Sequence, residues 1–211
     1  MIKIIKNYFL NFIFQKYIHN FNQEKLLYEE KYFKKYSFDY LKKYCDVINL
    51  KHNISINSNE VIEIIKRINP NITVVMGTSL INKKIINIIR NKIYNLHTGI
   101  SPNYRGGLSN FWPIIHKDYS NLGVTIHELD EGIDSGKILF TKRIKSKKKI
   151  FSDINCKSII HGTNLMIKAV NNFIKNNSVS YSQKNRGGIF YNDDFNGYYA
   201  KKYFKIISGD Q

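Results

Sequence analysis

Two short stretches of this 211-residue chain bring an amide, an imidazole and carboxylates close together in sequence. Asn95 and His97 lie two apart in Asn95-Leu96-His97-Thr98-Gly99, just ahead of Ser101-Pro102-Asn103-Tyr104-Arg105-Gly106-Gly107. In a strand over IYNLH, residues two apart share a face, so Asn95 and His97 project together from its C-terminal end. Ligands of open α/β sheets bind at that edge. The second stretch, Asp130-Glu131-Gly132-Ile133-Asp134-Ser135-Gly136, follows the strand-like GVTIHEL, and neighbouring strands would carry its carboxylates towards His97. An Asn amide and a protonated His can donate to the oxyanion that forms when an amine attacks a carbonyl. A carboxylate beside the His orients it, favours its charged form and helps collect the amine proton. Two plainer readings stand beside this one. A single His at a strand end is commonly structural, and a DxG loop is commonly only a turn. His97, Asp134, Cys156 and His161 have no metal-type spacing, so no metal is expected.

The elements that must hold these residues follow from periodicity and turn chemistry. Residues 1–45 carry Ile, Phe, Leu and Tyr at mixed helical spacings among Lys and Glu, which predicts an N-terminal segment of one or two amphipathic helices. From 46 to 175 the pattern alternates. Ser58 or Asn57 caps a helix through EVIEIIKRI, Pro70 stops it, and ITVVM reads as a buried parallel strand. A helix through KKIINIIR, the strand IYNLH, a glycine-rich loop, a short helix near FWPIIH and the strand GVTIHEL come next. The strand KILFTKRI and a helix from about 152 to 175 complete the unit. This succession predicts an α/β domain with a mainly parallel sheet and βαβ crossovers. Residues 176–211, around GGIFYNDDF, read as a hairpin or irregular tail.

Composition narrows the class. Hydrophobic residues make up 43% and aromatics 14%, which excludes a disordered chain. Lys+Arg is 33 against Asp+Glu 16, a net charge of +17 that suits nucleic acid, acidic lipid or phosphorylated ligands. The abundance of Lys, Asn and Ile is equally what an AT-rich coding sequence produces, so no nucleic-acid partner is expected. Cys45 and Cys156 form no CxxC pair, which fits a reduced, cytoplasmic protein. MIKIIKNYFLNFIFQKY is basic at its start, but Lys6, Asn11 and Lys16 keep its apolar run below spanning length, and no cleavage site follows. It reads as neither a signal peptide nor a membrane span. The aromatic N-terminal helices would also serve a homodimer.

The strings NLHTGISPNYRG and GVTIHELDEGIDSGKI resemble the two signature blocks of the formyltetrahydrofolate-dependent formyltransferases: Asn-x-His followed by Pro-x-x-Arg-Gly, then Gly-Val-Thr-x-His followed by Asp-x-Gly. Two blocks in this order are more specific than either alone. The similarity runs from about Asn69 to Ile144, with VVMGTSLI resembling the strand and loop before the signature. GGIFYNDDF is similar to the closing segment of the short, sugar-modifying members.

The resemblance implies a Rossmann-like formyltransferase fold and N10-formyltetrahydrofolate as co-substrate. Asn95, His97 and Asp134 would be the catalytic trio, with Asn95 donating to the oxyanion and Asp134 holding His97. The pterin would sit between Gly77, Thr78, Ser79 and Leu80 on one side and Asp130, Glu131, Gly132 and Ile133 on the other. Thr98, Gly99, Ile100, Ser101 and Arg105 would shape the substrate side, where Arg105 can also meet an anionic group. RGGLSNFWPI with His127 looks more like the sugar enzymes, which implies a nucleotide-linked amino sugar as acceptor and a place in surface-glycan synthesis. A methionyl-tRNA or glycinamide-type acceptor stays open, as does a catalytically silent remnant that only binds a partner. All 12 glycines fall at or after Gly77, and residues of about 5–50 resemble a helical insertion of long sugar-modifying members. The family's first strand–helix–strand unit is therefore expected to be missing.

Overall fold

The computed structural model describes residues 2–89, 91–184 and 187–209, and of residues 2–5 the backbone alone. Arg90, the end of the expected helix KKIINIIR, and residues 185–186 and 210–211 of the expected tail lie outside them. Three helices come first: α1 (Ile2–Ile13), α2 (Gln15–Tyr32) and the single turn α3 (Phe38–Leu41). Then follow α4 (Asn59–Ile68), β1 (Ile72–Met76), α5 (Lys83–Ile88), β2 (Lys92–His97), β3 (Tyr104–Gly106), α6 (Trp112–Ile115), β4 (Gly123–Glu128), β5 (Ile138–Arg143), α7 (Phe151–Ile174), β6 (Gly188–Phe190) and α8 (Gly197–Ser208). No described helix is long and apolar enough to cross a membrane.

Local chemistry explains the boundaries. Ser58 caps α4 by accepting from the Val61 N–H, and Asn82 caps α5 by accepting from the Ile85 N–H. Each such cap contributes about 1 kcal/mol. Asn69 ends α4 in the left-handed conformation, with Pro70 behind it.

The main sheet has the order β1-β2-β4-β5. The α/β class holds, and β1 and β2 run parallel, joined through α5. The expected mainly parallel sheet is nevertheless mixed, because β2–β4 and β4–β5 are both antiparallel. The reason lies in the connections: β4 and β5 are joined by a short loop, which permits only an antiparallel neighbour. A second correction concerns ITVVM. It lies at the sheet edge with Val74 and Met76 each 51% exposed, so it is a half-covered strand rather than a buried one.

The tail departs from the expected hairpin as well. β6 pairs with β3, in parallel and from far along the chain, while Tyr181 bridges to Ile138. Asn196 then caps α8 by accepting from the Tyr198 and Tyr199 N–H groups.

Alternation along β2 and β4 divides the sheet into two surfaces. Tyr94, Leu96, Val124 and Ile126 face α7 and pack on Met166 and Ala169. The opposite surface carries Ile93 against α4 and α5, then Asn95 and His97 beyond them. A third cluster joins the N-terminal helices to the domain: Phe21 of α2 meets Phe111, Phe151 of α7 and Tyr203 of α8, with ring centroids 5.4–5.7 Å apart.

Candidate active site

Sheet register assembles the site. In the β2–β4 pair, Asn95 lies opposite His127 and His97 opposite Thr125, so four polar side chains share the face away from α7. Thr125 positions the loop after β2: its hydroxyl donates to the Gly99 carbonyl at 2.8 Å and accepts from the Ser101 N–H at 3.1 Å. Gly99 is required there, because a Cβ would come within 2.5 Å of His97 Nε2.

Asp134 reaches this face from the loop between β4 and β5, with its backbone in the left-handed region at φ 47°. Non-glycine residues held there are strained and cluster at functional sites. Its carboxylate faces four nitrogens. Oδ2 receives the Gly106 N–H at 2.8 Å and lies 3.2 Å from His97 Nδ1. Oδ1 receives the Asn95 amide at 3.1 Å and lies 3.2 Å from His127 Nε2. Burial pushes the carboxyl up, but the two imidazoles and the Gly106 N–H prevail and hold it down at about 2. Asp134 is therefore ionised at any physiological pH.

His97 is buried, at 6% exposure, and its Nε2 sits 2.9 Å from the Tyr104 carbonyl, an obligatory acceptor, so Nε2 carries a hydrogen. Burial disfavours the imidazolium more than Asp134 favours it, which places the His97 pKa below the ordinary histidine value. Asn95, His97 and Asp134 are thus brought together as the spacing predicts. His127 completes the group, although sequence reasoning uses it only in the resemblance to the sugar enzymes and not as a member of the site. The available signal is its place two residues after Thr125 in GVTIHEL, on the same face.

The flanking residues divide into an exposed and a buried set. Gly77, Thr78, Ser79 and Leu80 leave the end of β1 exposed, with Leu80 at 65%. Asn57 holds this loop by donating to the Leu80 carbonyl at 2.8 Å and accepting from the Asn82 N–H at 2.9 Å. Asp130, Glu131 and Gly132 are exposed and Ile133 half-buried; the Asp130 carboxylate accepts from the Gly132 N–H and the Ser135 hydroxyl. A Lys83–Glu131 ion pair of 2.8 Å links the start of α5 to this loop. On the other side, Gly99, Ile100, Ser101 and Arg105 are buried and Thr98 half-buried. Arg105 directs its guanidinium to the Ile133 and Gly187 carbonyls, tying the loop before Asp134 to the tail. Gly106, at φ 88°, packs against the Phe190 carbonyl where a Cβ would approach to 2.1 Å, so β3 and β6 can pair only with glycine there. Among the described residues no group of His, Cys, Asp and Glu could hold a metal ion.

Comparison with known proteins matches this geometry to one family. The methionyl-tRNA formyltransferase of Finegoldia magna is 33% identical over 132 residues, and that of Clostridium acetobutylicum 28% over 139. The matches cover 62% of this chain in both cases, and 41% and 44% of those proteins, so the chain spans less than half the length of these relatives. A sugar N-formyltransferase from a Shewanella species shares the fold with a TM-score of 0.58 at 22% identity, over 67% of this chain and 56% of that one. The formyltransferase PseJ of Anoxybacillus kamchatkensis, solved with UDP-4,6-dideoxy-4-formamido-L-AltNAc and tetrahydrofolate, gives 0.56 at 18% identity, over 78% and 85%. The formyl transferase family model matches residues 25–154, which contain β1 to β5 and every member of the polar cluster, and the chain belongs to that family.

Proposed function

We propose that the chain transfers a formyl group from N10-formyltetrahydrofolate to the amine of a nucleotide-linked amino sugar. The observation that carries this reading is the cluster of Asn95, His97 and an ionised Asp134 on the open face of the sheet, in a chain of the formyl transferase family. The fit to a folate rests on the two loops at that edge. Gly77–Leu80 leaves an exposed apolar side chain, and the Lys83–Glu131 pair tethers it to the neighbourhood of Asp130–Ile133, a frame that suits a planar ring read by backbone groups. Bound there, the folate supplies the formyl group.

The chain's own residues do the rest. As an amine adds to the formyl carbon, the carbonyl oxygen gains negative charge, and the Asn95 amide is the side-chain donor near it, held in place beside His97 and Asp134. Asp134 stays ionised, holds His97 Nδ1 and offers the charge that draws the departing amine proton. Arg105 and the Thr125-supported turn fix the loops that border that face.

A nucleotide-linked sugar is favoured by the fold match over 85% of PseJ, a protein solved with such a product. A transfer-RNA acceptor is the second reading, favoured by the identity to the Finegoldia protein. The deciding experiment supplies 10-formyltetrahydrofolate with UDP- and dTDP-linked amino sugars in one series and methionyl-tRNA in another, and follows formylated product by mass spectrometry. Product in the sugar series alone supports the proposal, and product with methionyl-tRNA alone overturns its acceptor. A chain with no turnover that still gains thermal stability from 5-formyltetrahydrofolate is a folate-binding remnant rather than an enzyme.

A further inference from the structure

His127 is buried to 1% exposure, yet it touches both members of the cluster that orient the others. Its Nδ1 lies 2.7 Å from the Glu128 carbonyl, which only accepts, so Nδ1 carries a hydrogen permanently. Nε2 lies 3.1 Å from Asn95 Nδ2 and 3.2 Å from Asp134 Oδ1, and these two atoms are themselves 3.1 Å apart. Three polar atoms form a closed triangle. An Asn95 oxygen turned towards Asp134 would oppose two acceptors, so the amide nitrogen faces the carboxylate.

Only two proton arrangements fit this triangle. With Nε2 bare, Asn95 directs one amide hydrogen to Asp134 and the other to His127, and Nε2 opposes Oδ1 with two lone pairs. With Nε2 protonated, His127 donates to Asp134, Asn95 keeps one hydrogen on Asp134, and its second is released. The released hydrogen is the one that an oxygen gaining negative charge requires.

Resting on the functional reading above, we propose that His127 is a positioning residue whose Nε2 proton frees the second N–H of Asn95 for the reacting oxygen. The proton exchanges with solvent before transfer and does not pass to the substrate, so the balance of the formyl transfer is untouched. The charged and titratable groups around the ring are few. Asp134 faces it from the β4–β5 loop and His97 from β2, with ring centroids 6.3 Å apart. Glu128, next in sequence, turns its carboxylate to Lys92 and Ser180, each 3.0 Å away, and Arg105 is directed to carbonyls. Asp134 is therefore the one carboxylate in contact with Nε2 among the described residues.

Two arms test this. In the first, kcat and KM are measured for the wild type, His127→Phe and His127→Gln. His127→Phe should lower kcat by about 10²-fold, the order of one lost preorganised donor, with the KM for 10-formyltetrahydrofolate nearly unchanged. The Gln variant, whose amide always donates to Asp134, should recover about tenfold of that loss. A Phe variant with wild-type kcat, or a Gln variant as impaired as Phe, overturns the proposal. The second arm needs no turnover: 15N NMR of the histidine side chains should show His127 protonated at Nδ1, with an Nε2 proton that is lost in Asp134→Asn. A bare Nδ1, or an Nε2 indifferent to Asp134, overturns it even where the wild type proves inactive and the functional reading fails.

Discussion

The strand pair β2–β4 and the helices α1 and α2 are built on opposite principles. Residues 123–127 of β4 are all buried, as are Ile93, Tyr94, Leu96 and His97 of β2, with α7 on one face and the polar cluster on the other. The helices instead leave Tyr8 78%, Phe12 73% and Leu27 65% exposed and bury one ring fully, Phe21. A strand paired on both sides fixes its side chains in space whatever lies around it. A helix docked through one buried ring and a few polar contacts leaves most of its surface free to change. The site stands on the first kind of element.

The sharpest way to break this contrast is to remove the one ring that these helices bury fully. Phe21→Ala deletes a side chain packed on Phe111, Phe151, Phe195 and Tyr203, and should cost about 3–5 kcal/mol by urea unfolding, the range for a buried aromatic. A loss below about 1 kcal/mol would show that the helices stand free of the core. On the strand side, the proposed role of His97 predicts that His97→Ala lowers turnover by at least about 10²-fold per folded molecule, the order of a lost positioned catalytic group.

Acid stability sharpens the same contrast. Asp134 sits at about 2 in the fold against an ordinary 3.8, so it contributes stability that is complete above 3.8 and is lost as pH falls through about 2. That contribution is about 2 kcal/mol, and Asp134→Asn should flatten the acid limb of a pH-dependent unfolding curve. Glu24 of α2 behaves in the opposite sense. Burial raises its pKa against the hydrogen bonds from Ser152 and Tyr203, so its contribution is present at low pH and lost as pH rises through the folded value. Glu24→Gln keeps an acceptor for those hydroxyls and should leave the chain equal or up to about 1 kcal/mol more stable at neutral pH. The smallest effect belongs to the exposed helix face, where Tyr8→Ser should change stability by less than about 0.5 kcal/mol.

What was legible in the sequence follows the same division. Alternation and turn residues mark α4, β1, α5, β2, β4, β5 and α7 along the chain, because each is decided locally by period, helped at α4 by Ser58 and Pro70. Asn95 and His97 are readable as a pair for that reason. Partners across the sheet are not local. The three-residue strand β6 has no pattern of its own and exists because Tyr104–Gly106 offers it an edge. The antiparallel turn from β2 to β4 places His127 opposite Asn95, which no spacing within GVTIHEL discloses. The tail reads as a hairpin from the turn chemistry of GGIFYNDDF, whereas the Asn196 cap starts a helix that docks Tyr203 into the aromatic cluster.

The pairing of Asn95 with His127 has one more consequence. Side chains alternate across a sheet, so a slip of β4 by one residue against β2 would set Ile126 opposite Asn95 and send His127 into the apolar layer under α7. No partly working site exists between these two arrangements. If the chain works as proposed, specific activity in any preparation would then count molecules, reporting what fraction has its sheet in correct register rather than how well each one works.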